Sequence, residues 1–389
     1  MKISTALALS LTIPFTQKTS LTSVKAAESN FFNWQDFREP DHQQKLEVCL
    51  KKISFTPTEK LLTQRGKSQK NPGCKSQQCF LDLLAANKAV ILKKGDFSEG
   101  VILILKQAHL NPDDQLDIEN NDGINVKKNL PFLKTIILHQ QSMYCFLKDL
   151  EKALGKRLLT VVPENSPKHH PFNIDASTKQ QFKLEGEIPV YFVHILNTFS
   201  DFFGDESTKS REEVMLAHTA AFMFLATSPR IPVLASYGED CFKMTKVLVN
   251  SFHTDNPLPI DENDWEFVSR KINLEFPVEN QQQFFKSNYE EIKSRVEKSS
   301  FNCRDEDIIS QLVDAVQQAD KTCSINGSAS LQIPKTAVYT VGFNHNISDV
   351  IELNDNIKQF KGVIYEIPVP QQTKSDFSSE FFLRKQNQL

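Results

Sequence analysis

The sequence predicts an α/β fold, a short mixed or mainly parallel sheet of about five strands with a large helical insertion. Three observations carry this. The run Val101–Lys106 is apolar almost throughout, as in a strand covered on both faces. A helix-spaced stretch follows it and leads to a second apolar strand at Leu158–Val162. The segment 336–367 repeats the strand, helix and strand order near the carboxyl end.

Before the domain, Lys2 precedes an apolar run from Ile3 to Phe15, and small residues stand before Glu28. This is the outline of a secretory signal over residues 1–27 and predicts export, periplasmic or extracellular, with the cytoplasm as the alternative. Residues 28–98 read as an N-terminal helical region, with helices at 29–52 and 57–66. Cys74 and Cys79, on a Pro-Gly turn, are placed to close a small disulfide loop in an exported chain. The α/β domain spans 99–370. In it, helical spacing predicts a helix over 131–154, stopped by Gly155. The stretch 111–123 is acidic, but counted from Asp117 it has Asp122 and Lys128 where a calcium loop has its glycine and glutamate, so it reads as a solvated loop.

The insertion, about 170–330, predicts helices at 188–203, 211–227, 238–249, 262–275, 277–299 and 304–321, with a short strand at Val233–Ser236. The last strands are Val338–Gly342 and Val363–Ile367, and residues 371–389 form a polar tail. With 29 phenylalanines against two tryptophans and no regular interleaving of basic residues, the aromatics read as helix-packing knobs. A net charge of −3 gives no footprint for nucleic acid. No run is long enough for a transmembrane span, which needs about 20 apolar residues.

In open α/β sheets ligands bind beyond the carboxyl ends of the strands. That rule selects His109, Glu164, Glu239 with Asp240, and His345. Histidine nitrogens and carboxylate oxygens suit a divalent metal or acid/base catalysis. His194 and His218, on apolar helices, read as structural. His169 and His170 lie in a Pro-flanked loop with nothing to support a ligand role. Ser236 and Cys241 lack a nucleophile elbow.

The segment Gly342-Phe343-Asn344-His345, between a strand and a helix and with Gly362 before the last strand, resembles the closing motif of the TraB/GumN family. Its architecture is shared with TIKI-type metalloproteases and, more loosely, with ChaN-like and erythromycin-esterase-like proteins. The run from Val101 to His109 stands where such proteins have a first Gly-x-x-His, and Leu158 to Glu164 where a strand ends in glutamate. The resemblance covers 101–165 and 336–367. It implies a metal-dependent or acid/base hydrolase of peptide or ester bonds, with His109, Glu164 and His345 as catalytic residues and as ligands of a divalent metal. It also implies a substrate-contacting Arg211, to which the sequence adds Lys106 and Glu239 as substrate-binding candidates, for an unknown small-molecule or peptide ligand. Lys106 stands in the place of the first motif's glycine, where an ammonium would pair with Glu164 or an anionic substrate instead of a metal. A non-enzymatic ligand-binding or interaction protein on the same scaffold is the alternative.

Overall fold

The computed structural model describes residues 77–108, 124–164, 220–228, 231–252, 262–275, 279–319 and 333–370, together with the isolated positions 44, 45, 48, 49, 260 and 277. The signal-like segment, the polar tail, the expected helices at 57–66 and 188–203, and His109, His169, His170, His194, Arg211 and His218 lie outside them.

The strands are β1 (Val90–Lys93), β2 (Val101–Gln107), β3 (Leu158–Pro163), β4 (Thr336–Gly342) and β5 (Val363–Ile367). They form one sheet in the order β1-β5-β2-β4-β3. Only the β1–β5 pair is antiparallel. Strands β2 and β4 are buried at every residue, which explains their apolar runs.

Alternation along the strands sends side chains to two helical layers. Val101, Leu103 and Leu105 pack with α1 (Gln77–Ala86), α2 (Ile124–Leu154) and α3 (Ala220–Thr227). Ile102, Ile104, Ala337, Tyr339 and Val341 face α7 (Tyr289–Gln318), α8 (Ile347–Leu353) and α9 (Asp355–Gln359). The connection after β2 therefore crosses one face and the connection after β4 crosses the other. Adjacent strands whose connections part in this way open a crevice at their carboxyl ends.

The insertion adds α4 (Glu239–Phe252), α5 (Glu262–Ile272) and α6 (Gln281–Ser287). They bury Met244, Leu248, Trp265, Val268 and Phe285 against Ile292 and Val296 of α7. Here aromatic rings pack as the phenylalanine content predicts: Phe252 lies 5.6 Å from Phe285 and 5.3 Å from Tyr289. Helix α7 runs for 30 residues, about 45 Å at 1.5 Å per residue. Its first half belongs to this helical layer and its second half, from Ile308 to Val316, lies on the sheet.

Three expectations change. The helices expected at 277–299 and 304–321 give way to α6 and the unbroken α7. The Ser-Ser-Phe-Asn-Cys stretch has modest helix propensity, but it is packed: Ser300 is buried against Thr245 (Oγ to Oγ1, 3.1 Å), and Cys303 is bridged to Cys241. The expected strand at 233–236 does not join the sheet. Its backbone is held by side chains instead. Thr160 Oγ1 donates to Pro232 O (2.7 Å) and accepts from Leu234 N (3.1 Å), while Gln311 accepts from Ser236 N and donates to Ser236 O. The fifth strand is β1, from a stretch expected to be helical; it pairs on the outer side of β5. Thr160→Val keeps the shape and removes both hydrogen bonds, so an urea melt is expected to show a loss of about 1–3 kcal/mol.

The turn into β5 needs glycine. A Cβ on Gly362 would sit 2.3 Å from the carbonyl oxygen of Gly100. Two disulfides, Cys49–Cys145 and Cys241–Cys303, join distant segments, and Cys79 is also disulfide-bonded; Cys74 is outside the described residues. Among the described residues no helix is long and apolar enough to cross a membrane.

Candidate functional site

The carboxyl ends of β2, β3 and β4 deliver Lys106, Glu164 and His345 to one buried cluster under α7. β4 ends at Gly342, and a tight turn closed by His345 N donating to Gly342 O (3.2 Å) turns the chain into α8. This places the imidazole beneath α7. Nδ1–H donates to Asp305 Oδ2 (2.7 Å) and Nε2–H to Glu164 Oε1 (3.0 Å). The Phe301 ring stacks on the imidazole at 4.2 Å and 17°.

Each carboxylate is held by a second partner. Tyr339 Oη, from the middle of β4, donates to Asp305 Oδ1 (2.7 Å). Gly342 N donates to Glu164 Oε2 (2.8 Å). The Arg304 guanidinium lies 3.6 Å from Glu164 Oε1 and is flanked by the rings of Phe301 (5.2 Å) and Tyr237 (5.9 Å). Lys106 Nζ donates to the main-chain oxygen of His345, and its ammonium lies 3.7 Å from Glu366 of β5. In spatial order β5, β2, β4 and β3 thus contribute Glu366, Lys106, Tyr339 with His345, and Glu164.

Burial and charge act against each other here. Burial lowers the His345 pKa, but the carboxylates of Glu164 and Asp305 outweigh it and raise it above the ordinary histidine value. Burial lowers the Lys106 pKa, opposed by Glu366, Asp305 and Glu164. Burial also opposes the charge on Arg304, yet Glu164 and its other neighbours hold its pKa up. Tyr339 is pushed well up by burial and then by Asp305 and Glu164, so its hydroxyl keeps its proton and donates.

Of the residues selected from sequence, the structure brings together Glu164, His345 and Lys106. Lys106 faces the cluster, but its direct carboxylate partner is Glu366 rather than Glu164. His109 and Arg211 are outside the described residues. Glu239 is exposed in the first turn of α4 and takes no part in the network; the residue that follows 233–236 and reaches the cluster is Tyr237, whose ring lies 5.9 Å from the Arg304 guanidinium. Its neighbour Asp240 pairs with Lys271 at 2.8 Å. Cys241 is consumed by its disulfide.

The sequence reading missed Asp305, Arg304, Phe301, Tyr339 and Tyr237. A signal for Asp305 existed. Ile308, Leu312 and Val316 recur at helical spacing on the core stripe of α7, and stepping back along that stripe reaches Asp305 and then Phe301. An acid on a core stripe requires a buried partner.

The divalent metal implied by the resemblance would be held by His109, Glu164 and His345. Asp305 behind the imidazole is the kind of carboxylate that orients a ligating histidine. Among the described residues, however, no group of three or more His, Cys, Asp or Glu forms a metal set. The oxygen of Glu164 nearest Nε2 also faces the Arg304 guanidinium, and its other oxygen is taken by Gly342 N. The described donors do not fit a dication. No family model matches the chain, and no curated protein or solved structure shows significant similarity to it.

Proposed function

We propose that this chain is an exported, hydrolase-like protein that cleaves a peptide or ester bond by acid/base chemistry at Glu164, His345 and Asp305. The observation that carries the reading is a buried imidazole held at both nitrogens by carboxylates, 2.7 and 3.0 Å away, at the carboxyl ends of parallel strands. Glu164 and His345 are a base and an acid in contact, the pairing that hydrolysis requires. A substrate that enters between them breaks the Nε2–Oε1 hydrogen bond. Glu164 takes a proton from the water that attacks the carbonyl carbon, and His345 gives its Nε2 proton to the leaving group as the scissile bond breaks. The proton on Glu164 then passes to Nε2, which restores both groups. Asp305 and Phe301 fix the ring. The signal-like N-terminus and the disulfides support an oxidising, external location.

A second reading, a ligand-binding or interaction protein with a silent site, is favoured by one observation. His345, Glu164 and Lys106 are only 5%, 7% and 5% exposed, and their polar groups face one another. Ester and peptide panels with the full-length chain separate the two. Hydrolysis that falls by about 10²-fold or more in Glu164→Gln and His345→Ala is the expected result. A folded wild-type chain inert on every panel supports the second reading instead.

A further inference from the structure

We infer that Lys106 and Arg304 are built-in cations that occupy the electrostatic role of a divalent metal at this site, so that the Glu164–His345 pair excludes such an ion. The inference rests on the acid/base reading above and deepens it.

Three features of the geometry converge. First, the donor atoms that would ligate are already committed. Glu164 Oε1 lies 3.0 Å from His345 Nε2 and 3.6 Å from the Arg304 guanidinium, while Oε2 accepts from Gly342 N at 2.8 Å. A dication bound to Oε1 at a ligand distance of about 2 Å would lie at most about 6 Å from that guanidinium. Between them is a site little exposed to water, where charges are weakly screened.

Second, Arg304 is fixed. It is 4% exposed, lies between the Phe301 and Tyr237 rings, and sits on α7 next to the Cys241–Cys303 disulfide, so it has little room to withdraw. Third, Lys106 grips the loop that carries the histidine. Its ammonium donates to the His345 carbonyl from one side and faces Glu366 on the other, which binds β2, the His345 turn and β5 together. The carboxylates of Glu164, Asp305 and Glu366 meet these two cations and leave one negative charge. A single proton on the imidazole cancels it, whereas a dication would overshoot.

The test is metal binding by the full-length chain. Wild type and His345→Ala are equilibrated separately with Zn²⁺ and Mn²⁺, desalted, and analysed for bound metal by mass spectrometry; calorimetry gives affinities. Wild type and His345→Ala are expected to retain the same amount, since any metal unaffected by this substitution is bound elsewhere. Lys106→Met, confirmed as folded by circular dichroism, is expected to bind Zn²⁺ about tenfold or more tightly than wild type, and Lys106→Arg is expected not to. One metal per wild-type chain that is lost in His345→Ala overturns the inference, and this arm does not depend on the lysine variants folding. An equal affinity in folded Lys106→Met and wild type overturns the role of Lys106. Failure here is distinct from failure of the hydrolase reading: an inert, metal-free chain sinks only the latter, and a hydrolytic chain that loads metal at His345 sinks only the former.

Discussion

Asp305→Ala is expected to destabilise the protein by about 3–5 kcal/mol, the cost of removing one partner from a buried charged pair. Asp305 is fully buried and accepts from two donors, His345 Nδ1 at 2.7 Å and Tyr339 Oη at 2.7 Å. Alanine leaves both donors in a dry interior without an acceptor. It also removes one of the two carboxylates that support the charge on His345. Such a loss is a large share of the roughly 5–15 kcal/mol that holds a domain together. Asp305→Asn separates charge from hydrogen bonding. The amide oxygen still accepts from Tyr339 and the amide nitrogen donates to Nδ1, which forces the imidazole into the neutral form with its proton on Nε2. Asn is therefore expected to cost less stability than Ala while still impairing hydrolysis. Urea melts of the three proteins decide the matter, and a cost below about 1 kcal/mol for Asp305→Ala would show that the network contributes little.

What the sequence made legible follows from how locally each feature is encoded. Strands buried on both faces announce themselves as apolar runs, and β2, β3, β4 and β5 all lie within two residues of their expected ends. Because the strand ends were legible, so were Glu164 and His345, the residues that the carboxyl-end rule selects. Strand β1 was not. It is an edge strand of four residues, VILK, with Val90 and Ile91 about half exposed, too short to separate from its helical surroundings. Segment 233–236 was misleading because its apolar, Pro-flanked pattern is that of a strand, whereas its backbone partners are side chains of Thr160 and Gln311. Such long-range side-chain pairing leaves no local period in the sequence.

The partners of His345 were hidden for a related reason. Asp305 and Phe301 are 40 or more positions away from it in the chain and come from a helix, while the carboxyl-end rule searches strand ends. The assumed break near residue 303 also placed Asp305 at a helix start, where an acid is explained by the helix dipole and needs no buried partner. The continuity of α7 removes that explanation. It puts Asp305 mid-helix and on the core stripe, where only a donor such as His345 or Tyr339 accounts for it.

The second large expectation concerns pH. The folded-state pKa of His345 is raised above its unfolded value, about 6.5. A base with a raised folded pKa binds its proton more tightly in the native state. Its contribution to stability is therefore fully present below the unfolded value and is lost as the pH rises through the folded one. The protein is expected to lose stability from about pH 6.5 upward, by about 1.4 kcal/mol for every unit of elevation. The groups facing the imidazole fix this sign. Glu164 and Asp305 favour its proton, Arg304 and Lys106 oppose it from α7 and β2, Glu366 offsets Lys106, and the Tyr339 hydroxyl stays neutral. The depressed pKa of Lys106 acts with the opposite sign, since the unfolded lysine holds its proton to higher pH; that contribution enters in the alkaline range, below about 10.4. The comparison that isolates His345 is the difference in urea stability between wild type and His345→Gln across about pH 5.5 to 8.5. The difference is expected to shrink as the pH rises, and the imidazole resonances in an NMR titration should place the histidine above its ordinary value. A difference constant across this range, or a titration at or below about 6.5, would mean that burial wins over the two carboxylates, and that His345 rests neutral in the folded protein.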